Sequence, residues 1–328
     1  MRYCISTLIA FYWVAAATAQ SGVPSQYTEG EVSITTESGR DTLFGTLLLP
    51  DAIREGKVTA ILLIPGSGPT DRDGNTTMAS GKNNSLKMLA EALQAQGIAS
   101  LRIDKRGIGK SQFNASMEEI RFDKFTDDAV AWLEYLDEHP SIDKVVAAGH
   151  SQGALVAAIA AEQTPSVSGY ISLAGTGRRI DAVLRQQLKE QLVMLPNLYE
   201  AADTVLTYLR EERVAADYPP MLQSLFAPQI QPFLISWIKY DPIEVLQSVN
   251  APKLFVFGST DLQVKPADEV EALEAAFPEA TVTVLEGMNH VFKAAPEERM
   301  ANIAAYTDPD LPLVEGLVEG VVEFVRGL

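Results

Sequence analysis

Residues 144–163 read Lys-Val-Val-Ala-Ala-Gly-His-Ser-Gln-Gly-Ala-Leu-Val-Ala-Ala-Ile-Ala-Ala-Glu-Gln. The apolar run Lys144–Ala148 predicts a buried strand, and the alanine-rich stretch Gln152–Gln163 predicts a helix. Between them stands Gly149-His150-Ser151-Gln152-Gly153, a G-x-S-x-G at a strand-to-helix turn. A serine at such a turn is forced outward with its hydroxyl exposed, and the glycines allow the tight backbone and close helix packing. The helix N-terminus adds backbone N–H groups and the positive end of a dipole. Five residues alone are weak evidence; the strand and helix on either side make the pattern specific.

The same alternation continues in both directions. Glu31–Ser38 and Thr42–Pro50 are expected as two strands around Gly39, a hairpin. Thr59–Ile64, Ala99–Ile103, Gly169–Ala174, Lys253–Phe257 and Thr281–Leu285 read as further strands. Leu86, Leu89, Ala90 and Leu93 share one helical face that Gly97 ends, and Ala129, Trp132, Leu133 and Leu136 share another. Val314, Leu317, Val318, Val321 and Val325 mark a final amphipathic helix. Apolar strands separated by helices predict an α/β fold whose mostly parallel sheet is covered on both faces. Residues 178–250 lack a clear strand. Leucines at 184, 188, 192, 198, 206 and 209, with Val205, predict two or three helices inserted over the carboxyl ends of the strands.

A serine hydroxyl needs a base to become a nucleophile. The chain has three histidines. His150 sits inside the elbow, where strand alternation turns it away from the serine. His139 precedes Pro140 and reads as a helix end. His290, on a loop after the strand Thr281–Leu285, is the expected base. The base in turn needs a carboxylate to fix its tautomer. Asp261, just past Lys253–Phe257, completes the chain order Ser, Asp, His of such hydrolytic sites. Its rivals are Asp268 on the following helix, Glu286 at the histidine's own strand end, and Asp241 before the wrong strand. Oxyanion donors are expected from the N–H of Gln152 and, in the loop after Thr59–Ile64, the N–H of Ser67. That loop lacks the Gly-Lys-Ser/Thr of a phosphate cradle. Asp71, Arg72 and Asp73 are expected to brace it through an ion pair. Activity that needs a neutral histidine should fall below pH ~6.5.

Several segments together carry a family resemblance: Gly66–Asp73, Asp104–Ser111, Gly149–Gly153, Tyr240-Asp241-Pro242, Gly258–Val264 and Asn289-His290. On these the chain resembles bacterial α/β-hydrolase carboxylesterases with a Gly-His-Ser-Gln-Gly elbow and a Gly-Ser-Gly-Pro-x-Asp-Arg-Asp oxyanion loop. The resemblance implies an α/β-hydrolase fold with a helical lid. It implies hydrolysis of esters with short to medium acyl chains, without metal or cofactor. It carries over as Ser151 nucleophile, His290 base, Asp261 orienter, and Ser67 and Gln152 oxyanion donors. One departure is Pro65, where a histidine often anchors the oxyanion loop. Acyl transfer, thioester or peptide cleavage by the same residues, and a catalytically inactive exported binding protein, remain open alternatives.

The rest of the composition bounds the setting. The 328 residues carry Lys+Arg 26 against Asp+Glu 43, a net charge of −17. That argues against nucleic acid and anionic membranes as partners, both of which want a basic footprint. Residues 1–19 read as a secretory signal peptide: Arg2, an apolar run from Ile5 to Ala17, then a small-residue site at Ala17-Thr18-Ala19. The mature chain is expected to be 20–328, an exported hydrolase domain with a cap insertion at about 178–250 and no membrane span after signal cleavage. Its substrate is expected to be a small-molecule ester, periplasmic or extracellular. The one cysteine, Cys4, lies inside the signal, so no disulfide forms within the mature chain. Oligomeric state is not legible.

Overall fold

The structure, a computed structural model, describes residues 28–36, 38–50 and 56–328. The expected signal peptide at 1–19 lies outside them. Strands β1 (Thr28–Thr35) and β2 (Thr42–Leu49) form an antiparallel hairpin whose turn includes Gly39 at φ 68°. β2 runs antiparallel to β4 (Ala99–Ile103). From there β3 (Val58–Ile64), β5 (Ile142–His150), β6 (Val167–Leu173), β7 (Lys253–Gly258) and β8 (Thr281–Leu285) are parallel. The sheet order is β1-β2-β4-β3-β5-β6-β7-β8.

The central strands are apolar throughout because both faces are covered. On β3, Ala60, Leu62 and Ile64 join one core while Ile61 and Leu63 join the other. Helices α1 (Ser85–Ala95) and α11 (Leu317–Arg326) close the second core with Leu86, Leu89, Leu93, Leu317 and Val321. Helices α2 (Phe122–Asp137) and α3 (Gln152–Gln163) close the first with Phe122, Trp132, Leu133, Val156 and Ile159. Gly97 follows α1 at φ 83°, a left-handed residue just past the helix end, where glycine bears no Cβ penalty.

Residues 178–250 form five α-helices rather than two or three, with a 3-10 turn at Pro220–Leu222: α4 (Ile180–Gln191), α5 (Pro196–Arg210), α6 (Gln223–Phe226), α7 (Gln231–Ile238) and α8 (Pro242–Ser248). Prolines account for the subdivision. A proline stands in the first turn of α5, α7 and α8, where its missing N–H costs nothing and where it cannot continue a preceding helix. Asp241 caps α8, accepting from the N–H of Ile243 and Glu244, a contact of about 1 kcal/mol. The chain continues through α9 (Pro266–Ala276) and a short α10 (Arg299–Ala304) that the sequence did not suggest. Among the described residues no helix is long and apolar enough to cross a membrane.

Candidate active site

Four loops meet at the carboxyl ends of β3, β5, β7 and β8. Ser151 follows β5 at φ 53° and ψ −119°, a backbone conformation that costs a side-chain-bearing residue about 1–3 kcal/mol. Its neighbours enforce it. The Ser151 N–H donates to Leu173 O at 2.9 Å. A β-carbon on Gly153 would run into Ile64 O, and one on Gly149 into Gly153 O. Helix and strand therefore approach as closely as backbone allows, and the serine is the residue that turns out. Gly66 is constrained in the same way: a β-carbon there would lie 3.2 Å from His150 Nδ1 and 3.4 Å from Ser151 Cβ.

Asp261 and His290 come together from β7 and β8. His290 Nδ1 lies 2.7 Å from Asp261 Oδ2. A carboxylate only accepts, so the Nδ1–H donates and Nε2 keeps its lone pair. The second oxygen of Asp261 accepts from the N–H groups of Gln263 at 2.7 Å and Val264 at 3.0 Å. Burial alone would raise this carboxyl. The adjacent His290 and the two N–H groups outweigh it and hold Asp261 below the ordinary carboxylate range. Of its rivals, Asp268 lies on α9, Asp241 caps α8, and Glu286 follows β8.

His150, expected to turn away from the serine, has its ring 4.7 Å from that of His290, and its Nε2 donates to the His290 carbonyl at 2.9 Å. His150 is buried, which pushes its pKa down to about 3, with the nearby His290 adding to the effect. It is therefore a neutral clamp on the His290 backbone. Among the described residues no hydrogen bond joins Ser151 Oγ to His290; their link runs through His150. Such bonds are often loose without substrate.

Two buried asparagines, to neither of which the sequence assigned a role, hold the remaining loops. Asn289 Oδ1 accepts from the N–H of Val291 and Lys293 at 3.1 and 3.0 Å. Asn302, on α10, donates to Thr260 O at 2.9 Å and Pro296 O at 2.8 Å. The loop after β3 is braced by ion pairs, as expected of Arg72 and Asp73, whereas Asp71 instead accepts from the N–H groups of Asp73 and Asn75. Arg72 grips Asp104 at 2.6 Å, and Arg102 pairs with Asp73 and with Glu29. The N–H groups of Ser67 and Gln152 donate to no protein acceptor among the described residues.

Ser67, Ser151 and Gln152 share a cavity of about 220 Å³. Its far wall is the helical insertion: Ile180, Val183 and Leu184 from α4, Leu225 from α6, Leu234 and Trp237 from α7. Of the other aromatic residues in the insertion, Phe226 is buried away from the cavity and Phe233 packs on Phe122 and Phe125. Phe122 also stacks on Trp237 at 5.5 Å, tying α7 to α2. A larger recess, about 640 Å³, lies between the β1–β2 hairpin and α2 and contains none of the three residues Ser151, Asp261 and His290.

Residues 82–294 match the family model described as "Serine aminopeptidase, S33". The chain belongs to this α/β-hydrolase family. It is 26% identical over 286 residues to "Esterase EstD" of Thermotoga maritima, covering 84% of this chain and 64% of that esterase, so it spans less than two thirds of its relative's length. The fold matches the esterase Pf2001 of Pyrococcus furiosus with a TM-score of 0.58 at 19% identity, over 92% of both chains. It matches the α/β-hydrolase GrgF of Penicillium sp. sh18 with a TM-score of 0.57 at 18% identity, over 92% of this chain and 98% of that one. Est1E of Butyrivibrio proteoclasticus, with ferulic acid bound, gives a TM-score of 0.56 at 17% identity, over 90% of this chain and 96% of that one. Within the family fold, the eight-stranded mostly parallel sheet carries the elbow on its fifth strand in chain order.

Proposed function

We propose that this α/β-hydrolase is an exported serine esterase of small carboxylic esters, with Ser151 as nucleophile, His290 as base and Asp261 as its orienter. The observation that carries the reading is the buried 2.7 Å Asp261–His290 pair, its His290 backbone held by His150, the residue beside the strained Ser151. His290 takes the Ser151 proton as the oxygen attacks the ester carbonyl. The N–H groups of Ser67 and Gln152 receive the developing oxyanion, each worth ~2.7–4 kcal/mol in barrier height. The alcohol leaves with the proton held on His290, and water then releases the acid from the acyl-enzyme.

The cavity supports short to medium acyl chains. At about 220 Å³ it falls below the ~300–1,000 Å³ of pockets that hold drug-sized ligands. Its lining holds Arg178 but no carboxylate, so a free α-ammonium would find no counter-ion there. That favours esters over the aminopeptidase substrates named by the family description. Export rests on the expected leader at 1–19, which would place the substrate in the periplasm or outside the cell.

The test is turnover of p-nitrophenyl esters from acetyl to decanoyl by the mature protein, with and without added alcohols and amines. Hydrolysis that peaks at short to medium chains and vanishes in Ser151→Ala fits the proposal. Dominant acyl transfer, or turnover that survives Ser151→Ala, contradicts it.

A further inference from the structure

Asp104, Lys105 and Arg106 follow β4 directly. The cations of this region have carboxylate partners: Arg72 has Asp104, Arg102 has Asp73 and Glu29, and Arg106 has Asp41 and Asp128. Lys105 is the exception among the described residues. It is buried, no salt bridge holds it, and its Nζ donates instead to two backbone carbonyls, Gly66 O and, at 2.7 Å, Gly68 O. The ring of Phe125 closes the site with its centroid 5.8 Å from Nζ.

Those two carbonyls flank Ser67. The Gly66 carbonyl and the Ser67 N–H belong to one planar, conjugated peptide unit. An ammonium on the oxygen draws electron density through that unit and leaves the N–H more positive, the cooperative polarisation of hydrogen-bond chains in a dry interior. We propose that Lys105 is a positioning residue for the oxyanion contact, its ammonium polarising the Gly66–Ser67 peptide and pinning the loop so that the Ser67 N–H faces the reacting carbonyl. The proposal rests on Ser67 as an oxyanion donor.

An uncompensated ammonium in a buried site is expensive, and an apolar side chain would fill the space at less cost. Burial alone pushes Lys105 down to about 7, so the site holds the charge only with difficulty. The loop's first residue, Pro65, has no N–H to anchor it. Lys105 supplies the missing anchor from the neighbouring strand.

The test compares wild type with Lys105→Met, Lys105→Gln and Lys105→Arg. Two readouts are used: kcat and KM on p-nitrophenyl acetate, and binding of an aryl trifluoromethyl ketone followed by ¹⁹F NMR of its tetrahedral adduct on serine. Removing a whole oxyanion donor costs about 10²–10³ in kcat, so weakening one should cost Lys105→Met about 10–50-fold. KM should stay within about twofold, since the effect belongs to the transition state. Ketone affinity should fall by the same factor as kcat, and Lys105→Arg should recover most of both. Lys105→Gln, which can donate without charge, serves where Met does not fold and should fall in between. A folded Met or Gln variant with wild-type kcat and ketone affinity overturns the proposal, as does a change in KM alone. The ketone separates this proposal from the esterase reading. If wild type binds it without turning over esters, Lys105 is still tested while the substrate class fails. If wild type forms no adduct, both fail.

Discussion

The strand-end loops and the helical insertion wall the same cavity but are built by different physics. At the strand ends, Asp261, His150, Asn289, Asn302 and Lys105 are buried polar groups fixed by hydrogen bonds to backbone, and the buried His290 ring is fixed by the Asp261 carboxylate. The insertion meets the cavity with Ile180, Val183, Leu184, Leu225, Leu234 and Trp237. Its polar contacts lie away from that apolar wall, some buried, such as Gln231 on the backbone of Ala215 and Phe226, and some nearer the surface, such as Arg185 with Asp203 and Lys265 with Glu190. Hydrogen bonds are directional and punish small displacements; apolar packing tolerates substitution of similar volume. Chemistry should therefore be brittle at the strand ends, and selectivity plastic in the insertion.

The largest effects should come from the strand ends. Ser151→Ala is expected to lower kcat by about 10⁵–10⁶, and Asp261→Asn by about 10⁴ through the wrong histidine tautomer, with unchanged circular dichroism. Ser151→Gly should be equally inactive yet more stable, by about 1 kcal/mol in urea titration, because glycine accepts φ 53° without strain. If Ser151→Gly is no more stable than wild type, the elbow is not strained and the contrast with the insertion weakens.

Acid and base should act on the same region with opposite signs. His150 has a folded pKa near 3, below its unfolded value near 6.5. The unfolded chain then binds the extra proton, so stability is lost as pH falls from about 6.5 toward 3. His150→Phe should flatten that part of a melting-temperature profile and lower kcat about tenfold by freeing the His290 backbone. Lys105 behaves in reverse. Its active form is charged, and it loses the proton as pH rises through about 7. The groups around it are neutral His150, the paired Arg72–Asp104 and Arg106–Asp128, and Phe125, so no carboxylate props the charge up. The kcat profile should fall on that basic side in wild type and stay level in Lys105→Arg. Equal basic limbs in both would separate Lys105 from the chemistry.

The smallest effects should come from the insertion. Trp237→Ala or Leu184→Trp is expected to move kcat/KM by about 3–10-fold in opposite directions for long and short acyl chains, since one methylene is worth about 1–3 kcal/mol at most. A loss of two orders of magnitude on every chain length would mean that the insertion positions the chemistry, and would break the comparison.

Much of the strand-end site was legible in the sequence, because each part has its own local signature. Ser151 stands in a glycine turn between a strand and a helix, and Asp261 and His290 each follow an apolar strand in the right order. The polar residues that act on other loops left no such trace. Lys105 and Asn302 are ordinary surface types until the fold buries them, and no period announces that a lysine will meet Gly66 from 39 residues away. The hold of His150 on the His290 backbone left no trace either, since it joins residues 140 apart in the chain. In the insertion the leucine stripes of α4 and α5 were visible at helical spacing. The short α6, α7 and α8 were not, since a helix of one or two turns cannot display a period and its proline starts resemble loops.

The most direct measurement is to label the mature protein with a fluorophosphonate and map the adduct by mass spectrometry in wild type, His290→Ala and Lys105→Met. A single adduct on Ser151, nearly absent in His290→Ala and slowed about 10–50-fold in Lys105→Met, is the outcome these contacts require. No adduct on the folded wild type, or an adduct on another residue, would contradict Ser151 as the nucleophile and leave the chain an α/β-hydrolase fold without hydrolase chemistry at its elbow.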